Sequence, residues 1–172
     1  MEVLLFAVNI FWFIASSYVA NGFPPVMRGK RPIDFGKKLR SHRILGDSKT
    51  IEGTLGGILA GLFVGYLQIS YQHQLPVSLH EMTMPLVIAL VLGTMAGDIG
   101  GSFIKRRVGF NSGDSALLLD QLGFLVAAMA FASLVQPINP YIMAALIVAT
   151  PPIHLFTNYI GCRIMKVKKN PW

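Results

Sequence analysis

The chain has 172 residues, 53% of them hydrophobic, and a mean hydropathy of +0.55. That is too apolar for a soluble domain, which must clothe its core in a polar shell, so lipid is the expected solvent. Fifteen Lys and Arg against eight Asp and Glu give a net charge of +7, and the single Cys162 excludes an internal disulfide.

Crossing roughly 30 Å of hydrocarbon takes about 20 residues in a helix, and five segments qualify: 3–20, 54–71, 84–104, 117–135 and 140–160. The first opens at Met1-Glu2 with no basic run before it and no small-residue cleavage site, which reads as a retained helix rather than a signal peptide. The connection 21–53 carries Arg28, Lys30, Arg31, Lys37, Lys38, Arg40, Arg43 and Lys49, and the connection 105–116 carries Lys105, Arg106 and Arg107. Arg163, Lys166, Lys168 and Lys169 follow the fifth segment, and these groups account for all fifteen basic residues. The alternate connections, QHQLPVSLHEMT and QPINP, hold none.

Lys and Arg accumulate on the cytoplasmic side of membranes. The expectation is therefore one all-α integral membrane domain over 1–172 with five transmembrane helices, N-terminus outside, C-terminus cytoplasmic and a basic cytoplasmic face. Such a face suits anionic headgroups or a polyanionic soluble substrate; nucleic acid is not an expected partner. The sequence carries no signal for an oligomeric state.

The acids on the basic side are Asp34, Asp47, Glu52, Asp98, Asp114 and Asp120. Asp98 lies seven residues before Lys105, about 10 Å inside the boundary at 1.5 Å per residue. An ionised carboxylate at that depth requires a cation. Helical spacing puts Asp98, Ser102 and Lys105 or Arg106 on one face. Asp98 and Asp120 are each eleven residues from Gly109, and a turn in RRVGFNSGDSA would bring them to similar depth. Two carboxylates converging there suit one or two Mg²⁺ in phosphoryl chemistry. The alternative is structural: Asp98 pairs with Lys105 or an Arg, and Asp120 caps or anchors its helix.

GDSKTIEGTLGG places small residues, hydroxyls and Lys49 just before a helix whose N-terminal dipole favours anions, as in a phosphate cradle. It is not a Walker A motif, because Gly-x4-Gly-Lys-Ser/Thr is absent. Lys49 reads either as a phosphate ligand or as a snorkelling anchor. Glu52 reads as orienting Lys49, as helping to bind metal, or as a first-turn helix acid. The glycines at 53, 57, 61 and 65, and at 93, 97 and 101, read as helix-packing seams. His154 and Asn158 share a face of the last helix beyond Pro151-Pro152; a lone intramembrane His is more often structural than catalytic, so neither joins the site.

The blocks YVANGFPPVMRGKRPIDFG, RILGDSKTIEG and GDIGGSFIKRRVGFNSGD with DQLGF resemble the archaeal CDP-archaeol synthase branch of the CTP-dependent lipid cytidylyltransferases. They cover the basic half of most of the chain. Lys-Thr-x-Glu-Gly and Ser-x-x-Lys-Arg are also similar to elements of the bacterial and eukaryotic phosphatidate cytidylyltransferases. The Lys-Asp and Pro-Gly-His-Gly-Gly portions of that longer signature are missing, and Gln121 and Gly123 stand where it has Arg and a final Asp.

The resemblance implies transfer of CMP from CTP to an isoprenoid ether lipid phosphate, 2,3-di-O-geranylgeranylglycerol 1-phosphate, with Mg²⁺ and release of pyrophosphate. It implies metal at Asp98 and Asp120, and catalytic roles for these together with Lys49 and Lys105. Nucleotide or phosphate contacts would come from Asn21, Ser48, Lys49, Thr50, Glu52, Gly53, Ser102, Lys105 and Arg106. A CTP-dependent lipid kinase would use a similar surface. A small transporter is disfavoured, because the buried acids lie in one half of the chain's depth and no half-chain repeat stands out.

Overall fold

The computed structural model describes residues 2–112, 114 and 116–166. Lys168 and Lys169, assigned above to the basic face, lie outside the described residues. Five α-helices run in chain order: α1 (Glu2–Gly22), α2 (Ile51–Tyr71), α3 (Met84–Arg107), α4 (Leu117–Ala132) and α5 (Pro140–Arg163). Short 3-10 turns at Pro24–Met27 and Gln72–Gln74 and a two-stranded hairpin, β1 (Lys38–Leu39) with β2 (His42–Arg43), complete the described architecture.

Four of these helical runs are long and apolar enough to cross a membrane, and α4 falls short with sixteen residues. Its apolar run does not continue as helix to residue 135. It tightens instead into turns, with Val135 N donating to Ala132 O and Leu134 N to Phe131 O. The exterior of the bundle is apolar, with Leu59, Phe63, Leu92, Val148 and Phe156 all exposed, as expected of helices whose solvent is lipid rather than water.

The centre is packed from α1, α3, α4 and α5 around Phe13, Ile14, Leu86, Leu90, Leu125 and Leu146, all nearly inaccessible. Glycine seams set how closely the helices approach. A Cβ at Gly61 of α2 would stand 2.9 Å from the Ser16 carbonyl of α1, and one at Gly97 of α3 would stand 2.6 Å from the Gly123 carbonyl of α4. Only bare backbones fit at such separations. Ser17 of α1 and Thr94 of α3 share a buried hydrogen bond at the same level of the bundle.

The end opposite the basic loops is strapped by side chains to main-chain groups. Gln72 holds Met82 N and O at 2.8 and 3.1 Å, and Asn9 holds His80 N and Ser78 O at 2.7 and 3.1 Å. These bonds satisfy a connection with no ladder of its own.

Candidate active site

At the basic end the long connection between α1 and α2 is an ordered scaffold. Arg31–Ile33 runs antiparallel to Lys49–Ile51: Ile33 N donates to Lys49 O and Ile51 N to Arg31 O, each at 2.9 Å. Between these limbs the Asp34 carboxylate, with 1% of its side chain exposed, accepts from Gly36 N, Leu45 N, Gly46 N and two nitrogens of Arg43. The Arg43 guanidinium, aided by these backbone donors, holds the carboxyl well below the usual carboxylate range despite burial. Asp34 thus anchors the hairpin and fixes where Lys49 leaves the loop. Sequence reasoning counted Asp34 among the acids but gave it no role; PIDFG, an acid followed by Phe35 and Gly36 at positive φ, is the signal that was available.

Lys49 projects from this scaffold onto Asp98, its Nζ lying 2.6 Å from both carboxylate oxygens. The cation demanded by a carboxylate at that depth is therefore Lys49, from the preceding loop. It is not Lys105 or an Arg, which the structural alternative had named.

Lys105 turns to α4, with Nζ 2.7 Å from Asp120 Oδ1 and 3.2 Å from Asp114 O. The second oxygen of Asp120 accepts from Ala116 N at 2.9 Å, closing the turn that starts α4. The two ion pairs lie side by side because α3 and α4 abut through Gly93, Gly97 and Gly101, which face Ala127–Ala128, Gly123–Phe124 and Leu119. In that antiparallel register Asp120 stands opposite residue 100, two residues from Asp98, an axial offset of about 3 Å.

The remaining sequence-selected residues divide by position. Thr50 caps α2, its Oγ1 accepting from Gly53 N at 3.1 Å. Gly53 and Gly57 receive Pro24, so the 3-10 turn after α1 seats on the first turns of α2. Glu52 binds Arg31, through Nε at 2.7 Å and the main-chain N at 3.2 Å, rather than orienting Lys49. Ser48 is exposed, and Ser102 is buried one turn along α3 from Asp98.

Arg106, 2% exposed, binds Leu45 O and Phe110 O, and its Nη2 is buried without a hydrogen-bond partner among the described residues. With Arg107, which reaches Leu39 O and Arg43 O, it ties the two basic loops into one layer.

Asn21 lies in the wall of a cavity of about 340 Å³ between α1 and α5. His154 and Asn158, left outside the site by sequence reasoning, also line it. A gap between two helices leaves no mark in the hydropathy of either.

The donor set suits a hard cation. Asp98 and Asp120 offer carboxylates 27% and 29% exposed at nearly one level, and the described residues contain no group of three or more His, Cys, Asp or Glu placed to hold a metal ion. Two carboxylates match Mg²⁺, which keeps waters and phosphate oxygens in its shell, better than a metal needing an all-protein cage. Lys49 and Lys105 each have three N–H donors, enough to hold a carboxylate and a phosphate oxygen together.

Comparison with known proteins shows the family. The family model described as CarS-like CDP-archaeol synthase matches residues 1–172. The chain is 44% identical over 166 residues to a CDP-archaeol synthase of Pyrococcus horikoshii, covering 96% of each chain. It is 38% identical over 179 residues to that of Methanococcus maripaludis, covering both completely. A solved structure described as an intramembrane enzyme for archaeal membrane lipids biosynthesis superposes with a TM-score of 0.75 at 36% identity, covering 86% of this chain and 91% of the other. The match runs through the apolar helices and the charged loops alike, and the chain belongs to the CDP-archaeol synthase family.

Proposed function

We propose that this membrane enzyme transfers CMP from CTP to 2,3-di-O-geranylgeranylglycerol 1-phosphate, forming CDP-archaeol and pyrophosphate, at the paired sites Lys49–Asp98 and Lys105–Asp120. Family membership supports the reaction. The observation that carries the site is the side-by-side placement of these two lysine–carboxylate pairs on abutting helices. The concentration of basic residues at that end supports a cytoplasmic active site, because positive loops stay inside, and CTP would arrive from water there.

The chemistry needs little covalent help from the protein. A phosphomonoester with a second pKa near 6 is largely a dianion at neutral pH, so its oxygen attacks the α-phosphorus of CTP without a general base. One P–O bond forms, the bond from the α-phosphorus to the bridging oxygen breaks, and pyrophosphate leaves with that electron pair. The barrier is repulsion between anions, and the remedy is positioning and positive charge. Lys49 and Lys105, held beside each other by Asp98 and Asp120, donate to the triphosphate. Thr50 and Ser48, at the N-terminus of α2, add donors where the helix dipole favours an anion. Asp98 and Asp120 would hold Mg²⁺, which supplies neutralisation of the triphosphate and of the departing pyrophosphate.

The test separates this reaction from a CTP-dependent lipid kinase. Purified protein is incubated with the ether lipid phosphate, Mg²⁺ and CTP labelled in parallel at the α- or γ-phosphate. α-label in the lipid with equimolar pyrophosphate is the expected outcome; γ-label in the lipid would overturn the proposal.

A further inference from the structure

The acids at the basic end are already committed. Asp34 and Asp47 hold Arg43, Glu52 holds Arg31, Asp98 holds Lys49 and Asp120 holds Lys105, while Asp114 accepts from Asn111 N at 2.6 Å. Lys37, Lys38 and Arg40, on and around the β1–β2 hairpin, are exposed and form no ion pair among the described residues. Residues outside the described ones add no Asp or Glu to the chain. The hairpin therefore carries positive charge that no acidic side chain of the protein answers.

Two apolar side chains stand among these cations. Phe35 is 71% exposed and Leu39 48%. The register pairs Leu39 with His42 and Lys38 with Arg43, on opposite faces of the ribbon. Arg43 reaches inward to Asp34, so Leu39 faces out. Phe35 is held at a φ of 48°, in the left-handed region that bulky residues avoid, and its ring has little protein to pack against.

The hairpin also adjoins the lipid-facing surface. Ile88, Leu92, Ala96 and Phe103 of α3 are exposed and recur at helical spacing on one face. That stripe ends at Arg107, whose guanidinium lies 5.1 Å from the Phe103 ring centroid and donates to Leu39 O at 3.2 Å and Arg43 O at 2.6 Å. The outward face of the hairpin is thus continuous with helix surface whose solvent is lipid.

Positive charge that only fixes topology needs neither an ordered hairpin nor exposed apolar groups. Cations interleaved with apolar side chains at a bilayer edge match a layer of anionic headgroups, which attracts Lys and Arg while the acyl boundary beneath takes Phe and Leu. We propose that the β1–β2 hairpin docks on the anionic headgroups of its own bilayer, with Lys37, Lys38 and Arg40 at the lipid phosphates and Phe35 and Leu39 at the acyl boundary. The proposal goes beyond the cytidylyl-transfer reading and does not depend on it. The docked hairpin braces the loop that delivers Lys49, since Ile44 N donates to Lys37 O and Ile33 N to Lys49 O.

The test places the full chain carrying Leu39→Trp in nanodiscs with brominated acyl chains, of phosphatidylcholine alone or with about one third phosphatidylglycerol. Emission added by the new Trp is read as the difference from the parent. The expected result is quenching at least about twofold stronger in the anionic discs, and loss of that excess at about 1 M NaCl, where the screening length falls to about 3 Å. The excess should also vanish when Lys37→Gln, Lys38→Gln and Arg40→Gln are added together. Phe35→Trp is the second reporter if Leu39→Trp does not fold. Equal quenching in both discs would show an apolar contact that ignores charge, and no quenching in either would leave the hairpin in water; each result overturns the proposal. Saturating CTP is expected to leave the quenching unchanged, whereas relief of quenching by CTP would assign these cations to the nucleotide and overturn it as well.

Discussion

Lys49 and Asp98, forty-nine residues apart in sequence, are joined by two hydrogen bonds of 2.6 Å from one ammonium to both oxygens of one carboxylate. This pair links the loop before α2 to α3, which carries the acid. Lys49→Ala is expected to lower kcat/KM for CTP by about a hundredfold or more, the scale on which one charged transition-state donor acts. The KM for the lipid should move much less. Steady-state kinetics with each substrate varied in turn checks this, and an unchanged kcat/KM for CTP would reduce Lys49 to an anchor.

Chelation should separate catalysis from stability. Each carboxylate already holds an ammonium, so EDTA is expected to abolish turnover, reversibly with Mg²⁺, yet leave the Tm of nucleotide-free protein unchanged. CTP with Mg²⁺ should raise stability by about 2.7 kcal/mol at a hundredfold excess over Kd. A fall in Tm on adding EDTA without CTP would show instead that metal is held tightly before nucleotide arrives.

The α3–α4 seam makes an asymmetric prediction. A Cβ at Gly97 would meet Gly123 O at 2.6 Å and Ala127 Cβ at 2.7 Å, whereas one at Gly123 would meet nothing nearer than 3.7 Å. Gly97→Ala is therefore expected to cost about 1–3 kcal/mol and to depress activity by separating Asp98 from Asp120. Gly123→Ala should be neutral or stabilising by up to about 1 kcal/mol, through helix propensity. Thermal unfolding of both variants checks the contrast, and equal destabilisation would contradict the register.

Acid sensitivity should arise at the opposite end. Burial pushes the His80 imidazole below its usual value, with Glu81 opposing; Phe13 packs edge-on at 4.9 Å and Gln136 lies 2.7 Å from Nε2. A His with a depressed folded pKa binds fewer protons when native than when unfolded. Stability is therefore lost as pH falls through the unfolded value of about 6.5. Asp34, whose folded pKa is depressed, contributes stability that persists above the ordinary carboxylate range and adds no slope near neutrality. Tm should decline from pH 7.5 to 5.5 in the parent and stay flatter in His80→Gln; parallel slopes would remove His80 from the account.

The five helices were legible because lipid leaves only one backbone solution for long apolar segments, and the need of Asp98 for a cation was legible from its depth. Its partner was not. The i+7 spacing favoured Lys105, but Lys105 is drawn across the seam to Asp120, and Lys49 arrives from a loop held by Asp34. Contacts between segments depend on helix register and loop closure, which hydropathy does not encode. His154 and Asn158 were visible as sharing a face of α5, but the cavity they line opposite α1 was not.

The most direct measurement of the central assignment follows α-labelled CTP into lipid for the parent, Asp98→Asn and Asp120→Asn in the same detergent, with Tm recorded for each. The expected result is folded variants whose transfer rate falls by at least about a hundredfold, in keeping with the loss of a charged group that acts on the transition state. Transfer at the parent rate by either folded variant would contradict a site built on these two carboxylates and their lysines.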